Sequence, residues 1–259
     1  MEKYKLSEIR LFVLDMDGTI YLGEKVLPGA IEFVKTARER GKKIVFFTNN
    51  ASRNPNDYVE KLSRLGFDAD RGDIVTAGDV TIDFLKRFRP GKSVYLVGTP
   101  ALERSFCEAG ICISEKSDIV VTSFDTTLTY EKLVIACDLI RSGAEFLCTH
   151  PDFNCPTENG FIPDSGAIAA LVTASTGVKP KYFGKPYKET ADMISHLFGV
   201  PFSETAIVGD RLYTDIALGR NNGLMSVLVL SGETKPCDVN ETNAPDITLG
   251  GIGEIIPYL

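Results

Sequence analysis

The sequence has no tryptophan, only two histidines, no excess of basic residues and no long apolar run. A helix that crosses a membrane needs about 18 or more consecutive apolar residues, and none are present. The formal net charge of −7 argues against a nucleic-acid partner held on a broad basic surface. His150 and His196 are too few for a histidine-rich metal site. The remaining composition, 44% hydrophobic and 24% charged over 259 residues, is typical of a soluble globular protein with one or two domains.

The chain also lacks a Cys-x-x-Cys pair and an apolar leader. Residues 1–5 read Met-Glu-Lys-Tyr-Lys, which is not the apolar centre of a secretion signal. The cysteines lie mostly in apolar segments, which predicts reduced core residues and not a disulfide framework; they are Cys107, Cys112, Cys137, Cys148, Cys155 and Cys237. Both features predict a cytoplasmic protein.

Two carboxylates stand directly behind the first apolar run. Leu-Phe-Val-Leu at residues 11–14 predicts a buried strand, and Asp-Met-Asp-Gly-Thr follows at residues 15–19. Because side chains alternate along an extended chain, Asp15 and Asp17 can point to the same side of a turn at which Gly18 lets the backbone bend. This arrangement suits one nucleophile beside one proton carrier. Asp-Gly between apolar segments is equally typical of a type I′ hairpin.

Two further polar clusters carry groups that suit an anion. Thr48 and Asn49 follow the predicted strand at residues 43–47 and can donate hydrogen bonds, although they also fit a polar loop. Lys185 stands between a glycine and a proline, just before a predicted helix at residues 187–198. A solvated surface lysine is the alternative interpretation there.

A fourth cluster returns to acidic residues. Asp210 and Asp215 follow the predicted strand at residues 205–208, in a segment that also fits the capped start of a helix. Strands and helices alternate along the chain, which predicts an α/β fold with a parallel sheet. Because the carboxyl ends of parallel strands lie along one edge, we expect the four clusters to meet in a single site.

The four clusters resemble the motifs of the haloacid dehalogenase superfamily of phosphatases. The motifs are matched by residues 15–19, by Thr48, by Lys185, and by Asp210 with Asp215. The run Thr-Asn-Asn-Ala-Ser from residue 48 and the long insertion after it are similar to the branch that contains NagD-like and 4-nitrophenyl phosphatases. The resemblance covers nearly the whole chain and implies a Rossmann-like parallel-sheet core with an inserted α/β cap domain.

The insertion has its own alternation of predicted strands and helices. We predict a catalytic core from residues 1–78 and 181–259 and a cap from residues 79–180 that supplies substrate specificity. About a hundred residues are enough for a small independent core. One predicted helix, at residues 130–142, carries an apolar stripe that indicates packing and not ligand binding; its members are Tyr130, Leu133, Val134, Cys137 and Ile140.

The resemblance implies a reaction that depends on Mg²⁺. Oxygen ligands suit this ion, and the family pattern implies that Asp15, the backbone carbonyl of Asp17, and Asp210 hold it. Asp215 either binds the ion directly or orients one of its waters, and the second role is favoured.

The same resemblance assigns roles in the attack on a phosphate monoester. Asp15 would attack phosphorus to give an aspartyl-phosphate, which water then hydrolyses. Asp17 would protonate the leaving oxygen and deprotonate the water, which needs a raised pKa that burial beside other carboxylates would favour. Thr48, the backbone amide of Asn49, and Lys185 would bind the nonbridging oxygens.

The insertion departs from the family pattern at two positions. Residues 148–153 resemble a Thr-Asn-Pro-Asp loop that reaches towards substrate in this branch, with His150 where asparagine is usual. Asp164 stands where a glycine is common. His150 and Asp152 are therefore candidate substrate contacts, although Asp152 fits a simple turn residue at least as well.

The favoured interpretation is a phosphatase of small phosphate monoesters such as sugar phosphates, nucleotides or 4-nitrophenyl phosphate. The alternatives are a phosphotransferase or phosphomutase that uses the same aspartyl-phosphate, and a non-catalytic protein that binds phosphorylated metabolites. We expect a small phosphorylated metabolite as partner, and neither nucleic acid nor membrane. The resemblance allows a homodimer formed through the caps, although no apolar stripe in the sequence requires one.

Overall fold

The computed structural model describes residues 6–157 and 160–259. Residues 1–5, which bear on the expected absence of a secretion signal, lie outside the described residues. In chain order the strands are β1 (Leu11–Asp15), β2 (Tyr21–Leu22), β3 (Lys25–Val26), β4 (Lys43–Thr48), β5 (Ile74–Thr76), β6 (Val94–Val97), β7 (Ile119–Thr122), β8 (Glu145–Cys148), β9 (Asn154–Thr157), β10 (Gly160–Pro163), β11 (Lys181–Tyr182), β12 (Thr205–Gly209), β13 (Met225–Val229) and β14 (Ile247–Leu249). The α-helices are α1 (Ala30–Glu39), α2 (Pro55–Arg64), α3 (Ala77–Phe88), α4 (Pro100–Glu108), α5 (Tyr130–Arg141), α6 (Ser165–Thr176), α7 (Lys188–Phe198) and α8 (Ala217–Asn222).

The chain forms two compact units. We call the first the core unit; it comprises Met1–Thr48, Asn56–Val75 and Lys185–Leu259. The second, the insertion unit, comprises Asn49–Pro55 and Thr76–Gly184. The backbone therefore crosses from one unit to the other at four peptide bonds.

A six-stranded sheet forms the centre of the core unit, in the order β14-β13-β12-β1-β4-β5. The strand β1 pairs in parallel with both β12 and β4, so that Leu14 lies opposite Val208 on one side and Phe46 on the other. The first four residues of β1 are all buried, as expected of a parallel strand covered on both faces. The carboxyl ends of β12, β1 and β4 consequently lie side by side.

Helix packing closes the core around this sheet. The helix α1 buries Phe33 against Phe12 of β1, with the two rings edge to face and their centroids 5.4 Å apart. Gly29 precedes this helix with a φ of 75°, and a Cβ atom there would lie 2.7 Å from the Cα of Gly253. The small residue therefore permits a close backbone approach.

The insertion unit has a second parallel sheet, in the order β11-β8-β7-β6. The helices α5 and α6 pack on it and enclose a separate cluster of buried apolar side chains. An antiparallel hairpin of β9 and β10 follows the sheet and is largely exposed. These features confirm the predicted α/β class with a parallel-sheet core.

Two expectations about side-chain burial were wrong. The face of α5 that packs on the sheet includes Cys137 and Ile140, but Tyr130 is 82% exposed and Val134 is 44% exposed. The predicted apolar stripe therefore only partly coincides with the buried face of α5, which includes Ala136. All six cysteines are free thiols, yet three of them are exposed: Cys107, Cys112 and Cys237.

None of the helices in the described ranges has the length and apolar character needed to span a membrane.

Candidate active site

Three carboxylates meet at the carboxyl ends of β1 and β12 in the core unit. Asp15 is the last residue of β1, Asp210 directly follows β12, and Asp215 lies in the π-helical turn Leu212–Ile216. One carboxylate oxygen from each of the three lies within 4.8 Å of the others. The sheet order thus brings together acids that are almost two hundred positions apart in the sequence.

The π-helical turn directs Asp215 back towards the site. The carbonyl of Arg211 accepts hydrogen bonds from the backbone N–H groups of Asp215 and Ile216, both at 3.1 Å. The backbone N–H of Arg211 donates to Asp215 Oδ2 at 3.0 Å. A π turn holds one residue more than an α-helical turn, so the widened turn and this hydrogen bond fix the carboxylate together.

Lys185 supplies the positive charge for this cluster. Its side chain is 2% exposed, and its ammonium donates to Asp15 Oδ1 and lies 2.7 Å from Asp215 Oδ1. Burial alone would lower the pKa of Lys185, but the two carboxylates outweigh it and raise the pKa above its ordinary value. The geometry excludes the alternative of a solvated surface lysine.

One buried ammonium does not neutralise three buried acids. Burial raises the pKa of Asp15 to about 8, with a further increase from Asp215 and Asp210 and an opposing effect of Lys185. Burial and the charge of Asp215 likewise raise the pKa of Asp210 to about 6. Without a further cation, Asp15 therefore holds a proton near neutral pH.

The oxygen donors of the cluster fit a hard divalent cation. Asp210 Oδ2 accepts a hydrogen bond from the backbone N–H of Glu233 at 2.6 Å, whereas Asp210 Oδ1 is buried and has no hydrogen-bond partner. A buried carboxylate oxygen without a partner is costly unless a cation binds it. Asp215 Oδ2 accepts a hydrogen bond from the Arg211 N–H, and Asp215 Oδ1 lies 2.7 Å from the Lys185 ammonium.

Three glycines make room for these carboxylates. A Cβ atom on Gly209 would lie 2.2 Å from Asp215 Cγ. A Cβ atom on Gly18 would lie 2.4 Å from Asp210 Oδ2, and one on Gly232 would lie only 1.9 Å from the same oxygen. Since real Cβ atoms do not approach oxygen so closely, each glycine allows a carboxylate to occupy space that a larger residue would fill.

Sequence analysis missed an ion pair at the edge of the cluster. Arg211 Nε lies 3.0 Å from Glu233 Oε2. Burial would lower the pKa of Arg211, but nearby acids, first among them Asp15, raise it above its ordinary value. The pattern used for the other clusters, a glycine and a polar residue after a strand, also occurs at Gly232 and Glu233 and could have identified them.

The remaining core-unit candidates lie at the ends of β1 and β4. Thr48 is the last residue of β4 and directly follows Phe47, which pairs with Asp15. Asp17 lies two residues beyond Asp15 and is exposed. The burial expected of Asp17 was therefore wrong.

The other candidates belong to the insertion unit. Asn49 Nδ2 donates to Asp152 Oδ2 at 3.1 Å. His150 is fully buried, with Nε2 2.9 Å from Asp164 Oδ1 and Nδ1 3.0 Å from Thr149 Oγ1. Both ring nitrogens therefore have partners inside the unit, and the expected contact of His150 with substrate stays a prediction.

The pKa of Asp210 predicts how one substitution changes stability. An acid whose pKa is raised from 3.8 to about 6 destabilises the folded state above its ordinary pKa, and the full cost is present above about pH 6. Asp210→Asn removes that cost and keeps an oxygen for the Glu233 N–H. In EDTA we expect this variant to be more stable than the wild type by about 1–3 kcal/mol at pH 7, with little difference at pH 4.

Thermal unfolding in EDTA between pH 4 and pH 8 checks this expectation. Asp68→Asn is the matched control, because it makes the same chemical change at a fully exposed side chain of the core unit. An Asp210→Asn variant less stable than the wild type at pH 7 would contradict the raised pKa.

Comparison with known proteins places the chain among well-defined relatives. A family model described as haloacid dehalogenase-like hydrolase matches residues 12–112. A second model, of proteins similar to the same hydrolases, matches residues 182–255.

Curated and solved relatives match almost end to end. The acid sugar phosphatase of Staphylococcus aureus strain MRSA252 is 37% identical over 93% of each chain. The crystal structure of a 4-nitrophenylphosphatase from Thermotoga maritima is 48% identical, with a TM-score of 0.94 over 98% of this chain and 99% of that one. NagD from Escherichia coli K-12 is 31% identical, with a TM-score of 0.90 over 95% of this chain and 98% of its own.

Proposed function

We propose that this chain, which belongs to the haloacid dehalogenase-like hydrolases as a phosphatase of the NagD-like branch, hydrolyses small phosphate monoesters. The proposed reaction uses Mg²⁺ and passes through an aspartyl-phosphate on Asp15. The observation that carries the proposal is the buried pairing of Asp15 with Lys185 beside Asp210 and Asp215. A structural ion pair alone would not need two further acids and a carboxylate oxygen without a partner.

Asp15 is the proposed nucleophile. One of its oxygens forms a bond to phosphorus as the bond from phosphorus to the ester oxygen breaks, and the alcohol leaves. A water then attacks the aspartyl-phosphate and releases inorganic phosphate, which restores the Asp15 carboxylate. Lys185 donates to Asp15 Oδ1 and so fixes the orientation of the carboxylate for the attack.

Two carboxyl groups divide the work of nucleophile and proton carrier. Asp17 gives a proton to the leaving oxygen and takes one from the water in the second step. Its exposure supports this role, because a proton carrier must reach both the leaving group and the incoming water. Asp15 is held within the buried cluster and cannot exchange its contacts as readily.

Groups around the cluster bind the phosphate oxygens. Lys185 supplies a buried positive charge, and Thr48 with the backbone amide of Asn49 supplies donors at the end of β4. Asp15, the backbone carbonyl of Asp17, and Asp210 would hold Mg²⁺. When bound, this ion neutralises the negative charge of the carboxylates and of the phosphate dianion. Asp215 orients Lys185 and remains behind these ligands.

The substrate class follows from the relatives and not from the geometry. The names of the curated and solved relatives point to sugar phosphates and 4-nitrophenyl phosphate, and nucleotides belong to the same chemical class of small monoesters. Cytoplasmic location, a homodimer formed through the caps, the cap role of residues 79–180, and the absence of nucleic-acid and membrane partners stay predictions.

Removal of the metal tests the proposal. Phosphate release from 4-nitrophenyl phosphate and from sugar phosphates should require Mg²⁺, and EDTA should lower the rate at least about 10²-fold, since charge neutralisation is worth several kcal/mol. Mg²⁺ should also raise the melting temperature of the wild type but not of Asp210→Asn.

The same assay separates the competing functions. Transfer of phosphate to an added alcohol in preference to water would favour a phosphotransferase. Binding of phosphorylated metabolites without any turnover would favour a non-catalytic protein. Full activity in EDTA would remove the metal from the proposal.

A further inference from the structure

A buried histidine and a buried aspartate form a closed pair inside the insertion unit. His150 is fully buried, and its Nε2 lies 2.9 Å from Asp164 Oδ1. Thr149 Oγ1 donates to Ser123 Oγ at 3.0 Å, which leaves it as an acceptor for Nδ1–H of His150 at 3.0 Å. Both ring nitrogens then act as donors, as in a charged imidazolium that is paired with a carboxylate.

The electrostatic surroundings agree with this charge state. Burial would lower the pKa of His150, but the hydrogen bond with Asp164 and the charges of Asp164 and Asp152 outweigh it and raise the pKa. A buried and fully bonded pair of this kind fixes the ring in one orientation, because breaking it would leave an unpaired charge inside the protein.

Asp164 also anchors the start of α6. Its Oδ1 accepts a hydrogen bond from the backbone N–H of Ser165 at 2.6 Å, and its own N–H donates to the carbonyl of Phe153 at 3.0 Å. The N–H of Gly166 donates to the carbonyl of Asp152 at 2.8 Å, and a Cβ on Gly166 would lie 2.1 Å from the Pro151 carbonyl oxygen. The loop at residues 150–153 is therefore attached to the helix through both side chains and backbone.

The same loop contacts the insertion-unit side of two chain crossings. Asn49 donates from Nδ2 to Asp152 Oδ2 at 3.1 Å. A Cβ on Gly184 would lie 2.7 Å from Asn49 Oδ1 and 3.0 Å from His150 Cβ. We call Asn49, His150, Asp152 and Gly184 the crossing cluster.

Each end of the crossing cluster is one peptide bond from a proposed phosphate-binding residue. Thr48 directly precedes Asn49, and Lys185 directly follows Gly184. Consecutive Cα atoms are held about 3.8 Å apart, so the positions of Asn49 and Gly184 restrict those of Thr48 and Lys185.

We propose that the His150–Asp164 pair is a positioning device for catalysis, which fixes the crossing cluster and, through two peptide bonds, the phosphate-binding residues Thr48 and Lys185. The inference rests on the proposed phosphatase function. It assigns a role to the two residues at which this chain departs from its family pattern, and that role does not require either of them to contact substrate.

The experiment compares His150→Asn, Asp164→Asn and the double variant with the wild type, using 4-nitrophenyl phosphate at saturating Mg²⁺. The amide side chain in Asp164→Asn can still cap α6 and accept one hydrogen bond, which keeps that variant folded, but it removes the charge. We expect each single variant to lower kcat about tenfold or more, because small displacements of positioned groups are costly, with KM within about threefold. The double variant should be no slower than the slower single variant, since both substitutions remove the same pair.

Two controls separate positioning from stability. Asp125 is another buried carboxylate of the insertion unit, 2.6 Å from Lys132 Nζ, and Asp125→Asn should lower the melting temperature while kcat remains at the wild-type value. His196 is exposed, and His196→Asn should change neither quantity.

The outcomes are distinguishable. Wild-type kcat in Asp164→Asn and His150→Asn, or an equal loss of kcat in Asp125→Asn, would overturn the positioning role while the phosphatase function stands. A wild-type protein without turnover would overturn the proposed function first, and this inference with it. If His150→Asn does not fold, the result for Asp164→Asn decides.

Discussion

Asp15→Asn is expected to abolish turnover of phosphate monoesters in a protein that remains folded. An amide oxygen is a poor nucleophile and cannot form the aspartyl-phosphate, so kcat should fall by about 10⁴-fold or more, the scale seen when a nucleophile is removed. The substitution also removes a carboxyl group whose pKa burial raises to about 8, so the metal-free variant should not be less stable at pH 7.

Kinetics and thermal unfolding of Asp15→Asn are measured together to separate chemistry from folding. Asp68→Asn makes the same chemical change at a fully exposed position and should keep the wild-type kcat. Wild-type rates from Asp15→Asn would exclude Asp15 as the nucleophile. A variant that is inactive because it is unfolded would show its loss in the melting curve.

Gly232→Ala adds a single methyl group and is expected to lower both the affinity for Mg²⁺ and the activity. The added Cβ would lie 1.9 Å from Asp210 Oδ2 and 2.5 Å from Asp210 Cγ, so the carboxylate must leave its hydrogen bond with the Glu233 N–H. Loss of a hydrogen bond to a metal ligand typically lowers metal affinity by about 10–100-fold, and we expect Mg²⁺ binding to weaken on that scale. The displacement should also lower kcat/KM about 10²-fold.

Gly251→Ala is the matched control for this methyl group. A Cβ on Gly251 would meet nothing within 4 Å, and its φ of −166° is one that alanine adopts freely. Higher Mg²⁺ should restore part of the activity of Gly232→Ala, because its nucleophile is intact, whereas no concentration should restore Asp15→Asn. Wild-type Mg²⁺ affinity in Gly232→Ala would show that the carboxylate of Asp210 does not need the space that this glycine leaves.

The strands were the most predictable part of the fold. Runs of apolar residues predicted strands at residues 11–14, 43–47 and 205–208, and each ends one residue short of the observed β1, β4 and β12. A parallel strand covered on both faces needs apolar residues throughout. The sequence analysis did not predict α3, which directly follows β5. Its start is marked by a capping box, in which Thr76 Oγ1 accepts from the Asp79 N–H and the Asp79 side chain accepts from the Thr76 N–H.

The core of the candidate site was predictable from topology. No spacing rule relates Asp15 to Asp210, but β1 and β12 pair in parallel, and the rule that parallel strand ends share one edge predicts that the two acids meet. Lys185 follows β11 of the other sheet, so this rule does not predict its position. Asp215 contacts Lys185 and Arg211, and its expected position behind the metal ligands stays a prediction.

Other features depend on tertiary contacts that cannot be predicted from a single sequence. Nothing in the spacing of His150 and Asp164 shows that they pair, since a strand end and a helix start meet only after the insertion unit folds. Asp17 is exposed, although its separation of two residues from Asp15 predicted that both side chains point to the same side. The close approach of Gly232 to Asp210 likewise arises only where two strand ends lie side by side.

The widened turn Leu212–Ile216 makes the length of this segment as important as its composition. Loss of one residue between Arg211 and Asp215 would convert the turn to ordinary α-helical winding and move the Asp215 carboxylate relative to Lys185. Substitutions at Leu212 or Tyr213 would change only side chains, whereas a deletion would move the carboxylate of Asp215. We therefore expect natural relatives to differ in this segment by substitutions and not by insertions or deletions.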